Sequence, residues 1–197
     1  MKRQGLFRLL IFICAMAAAV TAFGQHETYT GTVLSYGTGL NARTTTNSFT
    51  LNINGVTPDD KAQRFLGLLQ ESGQDTLLSE LRKENLGTFS IGGRLGREIN
   101  GVRETMEGSK KRIFIVFERW INFGEIRGGY RSTDYPFGVI ELYVDPITGK
   151  GDGTFIAAAK IRWRLDKKSG QYQVEIENFA TYPAKLMGVT LRGGRRN

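Results

Sequence analysis

"GTFIAAAKIRWRL" (residues 153–165) and "QYQVEIEN" (residues 171–178) decide the fold. In the first stretch Phe155, Ala157, Ala159, Ile161, Trp163 and Leu165 alternate with a second set that ends in Lys160, Arg162 and Arg164. In the second, Tyr172, Val174 and Ile176 alternate with Gln173, Glu175 and Glu177. Alternation with period two puts successive side chains on opposite sides of a strand. The polar "DKKSG" between the two stretches is a turn segment. If Trp163 faces Val174, Ile161 meets Ile176 and Leu165 meets Tyr172. On the other side Arg162 then meets Glu175 and Lys160 meets Glu177. One register satisfies both faces, and a slip of one residue ruins both, so the pair predicts an antiparallel hairpin.

The same pattern recurs outward from this hairpin. "SFTLNIN" (48–54) alternates Phe49, Leu51 and Ile53 with Ser48, Thr50 and Asn52. "RIFIVFERW" (112–120) is apolar on both faces, which predicts a central strand. "DPITGKGDG" (145–153) predicts a second hairpin, centred near Gly149. One region departs from period two. Thr57 is placed to cap a helix, with Pro58, Asp59 and Asp60 suiting its first turn. Ala62, Phe65, Leu66 and Leu69 follow at helical spacing, Gly73 interrupts, and Leu77, Leu78 and Leu81 mark a second helix that stops near Gly87. The expected fold is mainly β (α+β by count): an antiparallel barrel or sandwich of about eight or nine strands, with a helical hairpin inserted after strand 2.

The chain opens on a secretory signal pattern. Lys2, Arg3 and Arg8 precede "LLIFICAMAAAV", and Ala22-Phe23-Gly24 supplies small residues at a cleavage site. Residues 1–24 are therefore read as a signal peptide, Gln25 as the mature N-terminus, and 25–197 as a single β-rich domain that is exported to the periplasm or the exterior, with no transmembrane segment in the mature chain. Cys14, the only cysteine, leaves with the signal, so the mature chain has no disulfide or thiolate chemistry. The formal charge of +8 falls to +5 when Lys2, Arg3 and Arg8 are lost. The basic clusters at Lys110-Lys111-Arg112, Lys167-Lys168 and Arg192 to Arg196 are either solvated faces or attraction to an anionic envelope surface. No nucleic-acid recognition motif accompanies them.

Motifs mostly exclude. "GTGLNA" (37–42) has dinucleotide-loop spacing, but "RTTTNSFTLNI" follows as a strand, where that motif requires a helix. His26 is the only histidine and sits beside the cleavage point, which leaves no triad and no histidine-rich zinc site. Asp145 and Asp152 lack the spacing of a calcium loop. No cofactor and no metal are expected.

What remains for chemistry is carboxylates, tyrosine and arginine. Glu141 interrupts the apolar "FGVIELYVD". A turn centred near Gly149 sets it opposite Ala157, on the face of Phe155, Ile161 and Trp163. There it would either line a cavity with a raised pKa or pair with an arginine. Glu118, next to Arg119, has the same ambiguity. "RGGYRSTDYPFG" (127–138) offers Arg127, Tyr130, Arg131 and Tyr135 as a rim for sugar, carboxylate or peptide. Its Asp134, Pro136 and Phe137 serve equally as a turn that opens a strand.

"RSTDYPFGVIEL", "GKGDGTFIAAAKIRW" and "ENFATYPAKLMGV" resemble a group of small exported bacterial β-rich proteins without an established activity. The resemblance implies a secreted single domain and no site residue. The functional expectation is a non-catalytic protein that binds a small amphipathic ligand or an envelope or extracellular partner. The rival is a carboxylate-dependent hydrolase or isomerase using Glu141, Glu118 or Asp134. A cavity lined by Glu141 would favour a ligand or a substrate, and a filled core an interaction module.

Overall fold

The computed structural model describes residues 26–37, 43–119, 127–129, 131–165, 172–179 and 182–193. The signal segment and Gln25 lie outside these residues, as does most of "GTGLNA". The described chain runs β1 (Glu27–Ser35), β2 (Thr45–Ile53), α1 (Asp59–Leu81), β3 (Gly87–Ile91), β4 (Arg97–Glu98), β5 (Gly101–Glu107) and β6 (Lys110–Glu118). A 3-10 turn (Arg131–Asp134) then leads to β7 (Phe137–Val144), β8 (Lys150–Leu165), β9 (Tyr172–Asn178) and β10 (Ala184–Gly193). The strands form one antiparallel ten-stranded sheet in the order β4-β3-β2-β1-β10-β8-β7-β6-β5, with β9 on β8, curled into a half-barrel. It is one sheet, not the two of a sandwich.

The β8–β9 hairpin has the expected register: Trp163 opposes Val174, Ile161 opposes Ile176, and Arg162 opposes Glu175. Its ion pairs run diagonally. Arg162 bonds closely to Glu177, and Arg164 reaches Glu175 at 2.7 Å.

Upstream, β8 carries a bulge. Val139 opposes Ile156 but Phe137 opposes Ala159, so β8 has one extra residue there. One added residue reverses which face each following side chain takes. Phe155 therefore packs in the half-barrel interior with Phe89 and Phe117. Ala159, Ile161 and Trp163 turn to the outer face, under α1. The expected single apolar face of residues 155–165 is thus two half-faces. Gly138 stands opposite the bulge, and a Cβ there would lie 2.4 Å from the Phe117 ring.

Two cores result. The interior is filled by Tyr29, Leu51, Ile113, Ile140, Leu142, Leu186 and their neighbours. The outer core joins Leu69, Leu77, Leu78 and Leu81 of α1 to Val116, Phe137, Val139, Ala159 and Ile161. β6 serves both, which explains its unbroken hydrophobicity. It stands next to the end of the sheet, not at its centre.

The expected helical hairpin is corrected to a single helix. No loop divides α1; Gly73 alone, at φ 79° and ψ −171°, bends it. That combination is essentially restricted to glycine. Lys61–Glu84 (2.9 Å) and Arg64–Glu80 (3.1 Å) tie the segments on either side of the bend. Thr57 is not the cap either. Its hydroxyl accepts from the Val102 N–H at 3.0 Å and its own N–H donates to the Val102 carbonyl at 2.8 Å, so it fastens the start of α1 to β5. The second hairpin also shifts. Asp145 accepts from the N–H groups of Ile147 and Thr148, Val144 pairs with Gly151, and the turn centres between Ile147 and Thr148.

Candidate ligand-binding groove

The bent helix α1 lies on the outer face of the sheet, with Leu69, Leu77, Leu78 and Leu81 buried against it. Between them runs a groove of about 260 Å³. Phe65, Leu66, Leu69, Leu77 and Leu81 form its helical wall, and Val102, Phe114, Val116, Ile161, Val174 and Ile176 its sheet wall. Gly101 on β5 contributes no side chain to the floor, where a Cβ would lie 2.9 Å from Val116. Leu66 and Val174 are each 39% exposed and mark the open side. Pockets with mainly apolar walls and a few fixed polar groups are the usual form of small-molecule sites.

Its polar groups gather where α1 begins. Arg103 of β5 donates Nη1–H to the Thr57 carbonyl at 3.0 Å and sets Nη2 2.7 Å from the Asp59 carboxylate. Arg103 is held from the backbone side, whereas Asp59 projects into solvent.

The half-barrel mouth holds a second polar cluster. Lys111 lies 2.7 Å from Glu27 and 3.4 Å from Glu104, and Tyr29 donates its hydroxyl hydrogen to Glu27 at 2.6 Å. Burial pushes the Tyr29 phenol well above its ordinary range, and its bond to Glu27 adds to this. Burial also raises Glu104, partly opposed by Lys111.

The expected catalytic candidates do not meet. Glu141 stands opposite Thr154 rather than Ala157, on the outer face, away from Phe155. The turn centred between Ile147 and Thr148 explains the difference, since the bulge lies beyond this pair. Its carboxylate binds Arg112 at 2.6 Å and accepts from the Tyr143 hydroxyl at 3.2 Å. It borders an open depression of about 410 Å³ with Tyr143, Asp152, Thr154, Lys185 and Met187, not an interior cavity. Glu118 is held by Nε and Nη2 of Arg82, at 2.8 and 2.6 Å, which raises the Arg82 pKa. Glu118 opposes Phe137, four residues along β7 from Glu141. At a strand's rise that is about 13 Å, wider than the ~5–10 Å at which paired carboxylates work. Asp134 lies in the 3-10 turn, where its carbonyl accepts from Gln74 Nε2 at 3.1 Å.

The 127–138 stretch divides in two. Tyr135 is buried: its hydroxyl donates to Glu177 and its ring packs on Phe179 at 5.1 Å. Arg119 gathers the turn by donating to the carbonyls of Tyr135, Ser132 and Pro136 at 2.6, 2.7 and 2.8 Å. Arg127 and Arg131 are exposed; Tyr130 lies outside the described residues. The groove residues were not foreseen as a site, because an apolar position reads alike in the sequence whether it is packed or lines a groove. Arg103 stands in a segment of mixed polarity, "REINGVRET" (97–105), and gave no signal of its own.

Among the described residues no group of His, Cys, Asp and Glu could hold a metal ion, and no helix is long and apolar enough to cross a membrane. Comparison with protein-family models, with curated proteins and with solved structures gives no match to the chain.

Proposed function

We infer that this is an exported bacterial binding protein, without catalysis of its own, that holds a small amphipathic ligand in the groove between α1 and the sheet. One observation carries the reading: a cleft with apolar walls on both sides meets a single fixed cation, Arg103, at one end. The interior of the half-barrel is occupied by core side chains, which supports the cleft over the barrel interior. The rival hydrolase finds less support, since Glu141 and Glu118 are each engaged by an arginine and stand apart.

The test is organic extraction of the purified full chain, with mass spectrometry of what co-purifies, followed by titration of the stripped protein with a fluorescent apolar probe. The wild-type protein should carry an amphiphile and bind the probe. Leu66→Arg, at the open side, should abolish probe binding with its melting temperature kept. Absence of both the co-purifying molecule and probe binding sinks the reading.

A second reading, contact with an anionic envelope surface, is favoured by the hairpin tips. Ile147 (90% exposed) and Met106 (63%) lie at or beside the neighbouring β7–β8 and β5–β6 turns, near Lys110 and Lys150. Apolar tips flanked by cations suit a phospholipid surface. Arg127 and Arg131 would be further contacts. Sedimentation with anionic vesicles, abolished by Ile147→Glu, tests it.

A further inference from the structure

We propose that the groove selects a single-chain amphiphile with an anionic head, and that the head binds Arg103 by displacing Asp59. The inference rests on the groove reading and adds the class of ligand to it.

Size comes first. The groove, at about 260 Å³, lies just below the ~300–1,000 Å³ of typical ligand pockets, too small for a two-chain lipid. At ~30 Å³ for a water-sized group, it takes roughly nine carbons of one chain. Phe65, Leu69, Phe114, Val116 and Ile176 offer such a chain no hydrogen-bonding side chain.

The sign of the head follows from Arg103. Its Nη1 is fixed by the Thr57 carbonyl, which aims the Nη2 edge of the guanidinium at the rim. Asp59 occupies that edge at 2.7 Å, but Asp59 is 89% exposed in its side chain against 40% for Arg103. An exposed ion pair contributes little, because water replaces it at low cost. A carboxylate, sulfate or phosphate head can take the same fork geometry while its chain buries apolar surface that Asp59 cannot. The exchange costs Asp59 only its partner and returns it to water. A cationic head would have to take Asp59 while facing the immobile Arg103, a like-charge contact. A neutral head would leave the pair intact and gain no charge-assisted bond.

The experiment titrates the stripped full chain by calorimetry with nonanoate, nonanol and nonyltrimethylammonium below their aggregation concentrations. Nonanoate should bind about tenfold or more tightly than the other two, since a charge-assisted bond is roughly twice as strong as a neutral one. Arg103→Gln should remove that advantage while leaving nonanol unchanged. Asp59→Asn, at an exposed position that does not hold the fold, should tighten nonanoate severalfold by freeing Arg103. Equal binding of the three heads, preference for the ammonium, or no response to either variant overturns the head assignment and leaves the groove reading standing. Failure of all three ligands to bind overturns both.

Discussion

Tyr29 and Glu27 sit two residues apart on the same face of β1, and the Tyr29 hydroxyl donates to the Glu27 carboxylate at 2.6 Å. Lys111 closes the arrangement from the opposite strand β6, 2.7 Å from Glu27 and 5.9 Å from the Tyr29 ring centre. The interior core thus ends in a polar plug of Glu27, Tyr29, Lys111 and Glu104, and the plug makes stability depend on pH in two ways.

Both protonations are favoured by folding. The phenol of Tyr29 is raised above its ordinary value of 10.0, so the unfolded chain loses this proton first as pH rises. Its contribution is fully present below pH 10 and is lost above it. Glu104 is raised above 4.5, so its ionisation also disfavours the folded state, and stability falls as pH rises through the range just above 4.5. Chemical denaturation across pH should show both declines. Tyr29→Phe should flatten the alkaline one, and Glu104→Gln the acidic one, even with Glu27 and Lys111 still facing the site. An unchanged profile in both variants would contradict the plug.

The diagonal pairing in the β8–β9 hairpin predicts an unequal rescue. Arg162 opposes Glu175 but bonds Glu177, with its Nε 3.8 Å from Glu175. Arg162→Glu should therefore be restored better by Glu177→Arg than by Glu175→Arg. Cross-strand charge pairs at a surface couple by roughly 0.2–1 kcal/mol, which a double-mutant cycle resolves. Larger coupling to Glu175 would mean that the directly opposed pair dominates in solution.

This hairpin was legible because its two faces demand the same register. The bulge just upstream was not: Ala157 and Ala158 are small and fit either face, so nothing in the sequence marks where Phe155 and Ile161 part company. The partner of Glu141 was hidden for a different reason. Arg112 comes from the neighbouring strand β6, two residues out of register with the position opposite Glu141, and only the strand order brings them together. Helical spacing identified both halves of α1, but a glycine that interrupts a pattern reads equally as a loop or as a bend. The groove, lined from both sides of that bend, was the least legible feature.

The 127–138 stretch separates by stability. Tyr135→Phe loses the bond to Glu177 and should cost on the order of 1 kcal/mol, while Tyr135→Ala also empties a buried ring site and should cost about 3–5 kcal/mol. Arg119→Ala removes the side-chain donors to the Tyr135 and Ser132 carbonyls, keeps the backbone bond to Pro136, and should destabilise comparably to Tyr135→Phe or more. Arg127→Ala and Arg131→Ala should stay within about 0.5 kcal/mol. Thermal melts rank these variants directly. An Arg131→Ala protein that melts as early as Tyr135→Ala would show that the exposed arginine holds the turn.

Gly73 links stability to the groove. At φ 79° and ψ −171° a side chain is strained whatever space surrounds it, and nothing lies within 4 Å of the position a Cβ would occupy. Gly73→Ala therefore reports backbone strain without a clash and should cost roughly 1–3 kcal/mol. The strain can be relieved only by opening the bend, which shifts Leu69 relative to Leu77 and widens the groove they both line. The variant should accordingly bind the apolar probe more weakly, even well below its lowered melting temperature. Gly67→Ala, on the same helix with open space around it and no positive φ, is the control: it should stabilise slightly through helix propensity and leave probe binding unchanged. If Gly73→Ala melts like the wild-type protein, the bend is not what the sequence enforces.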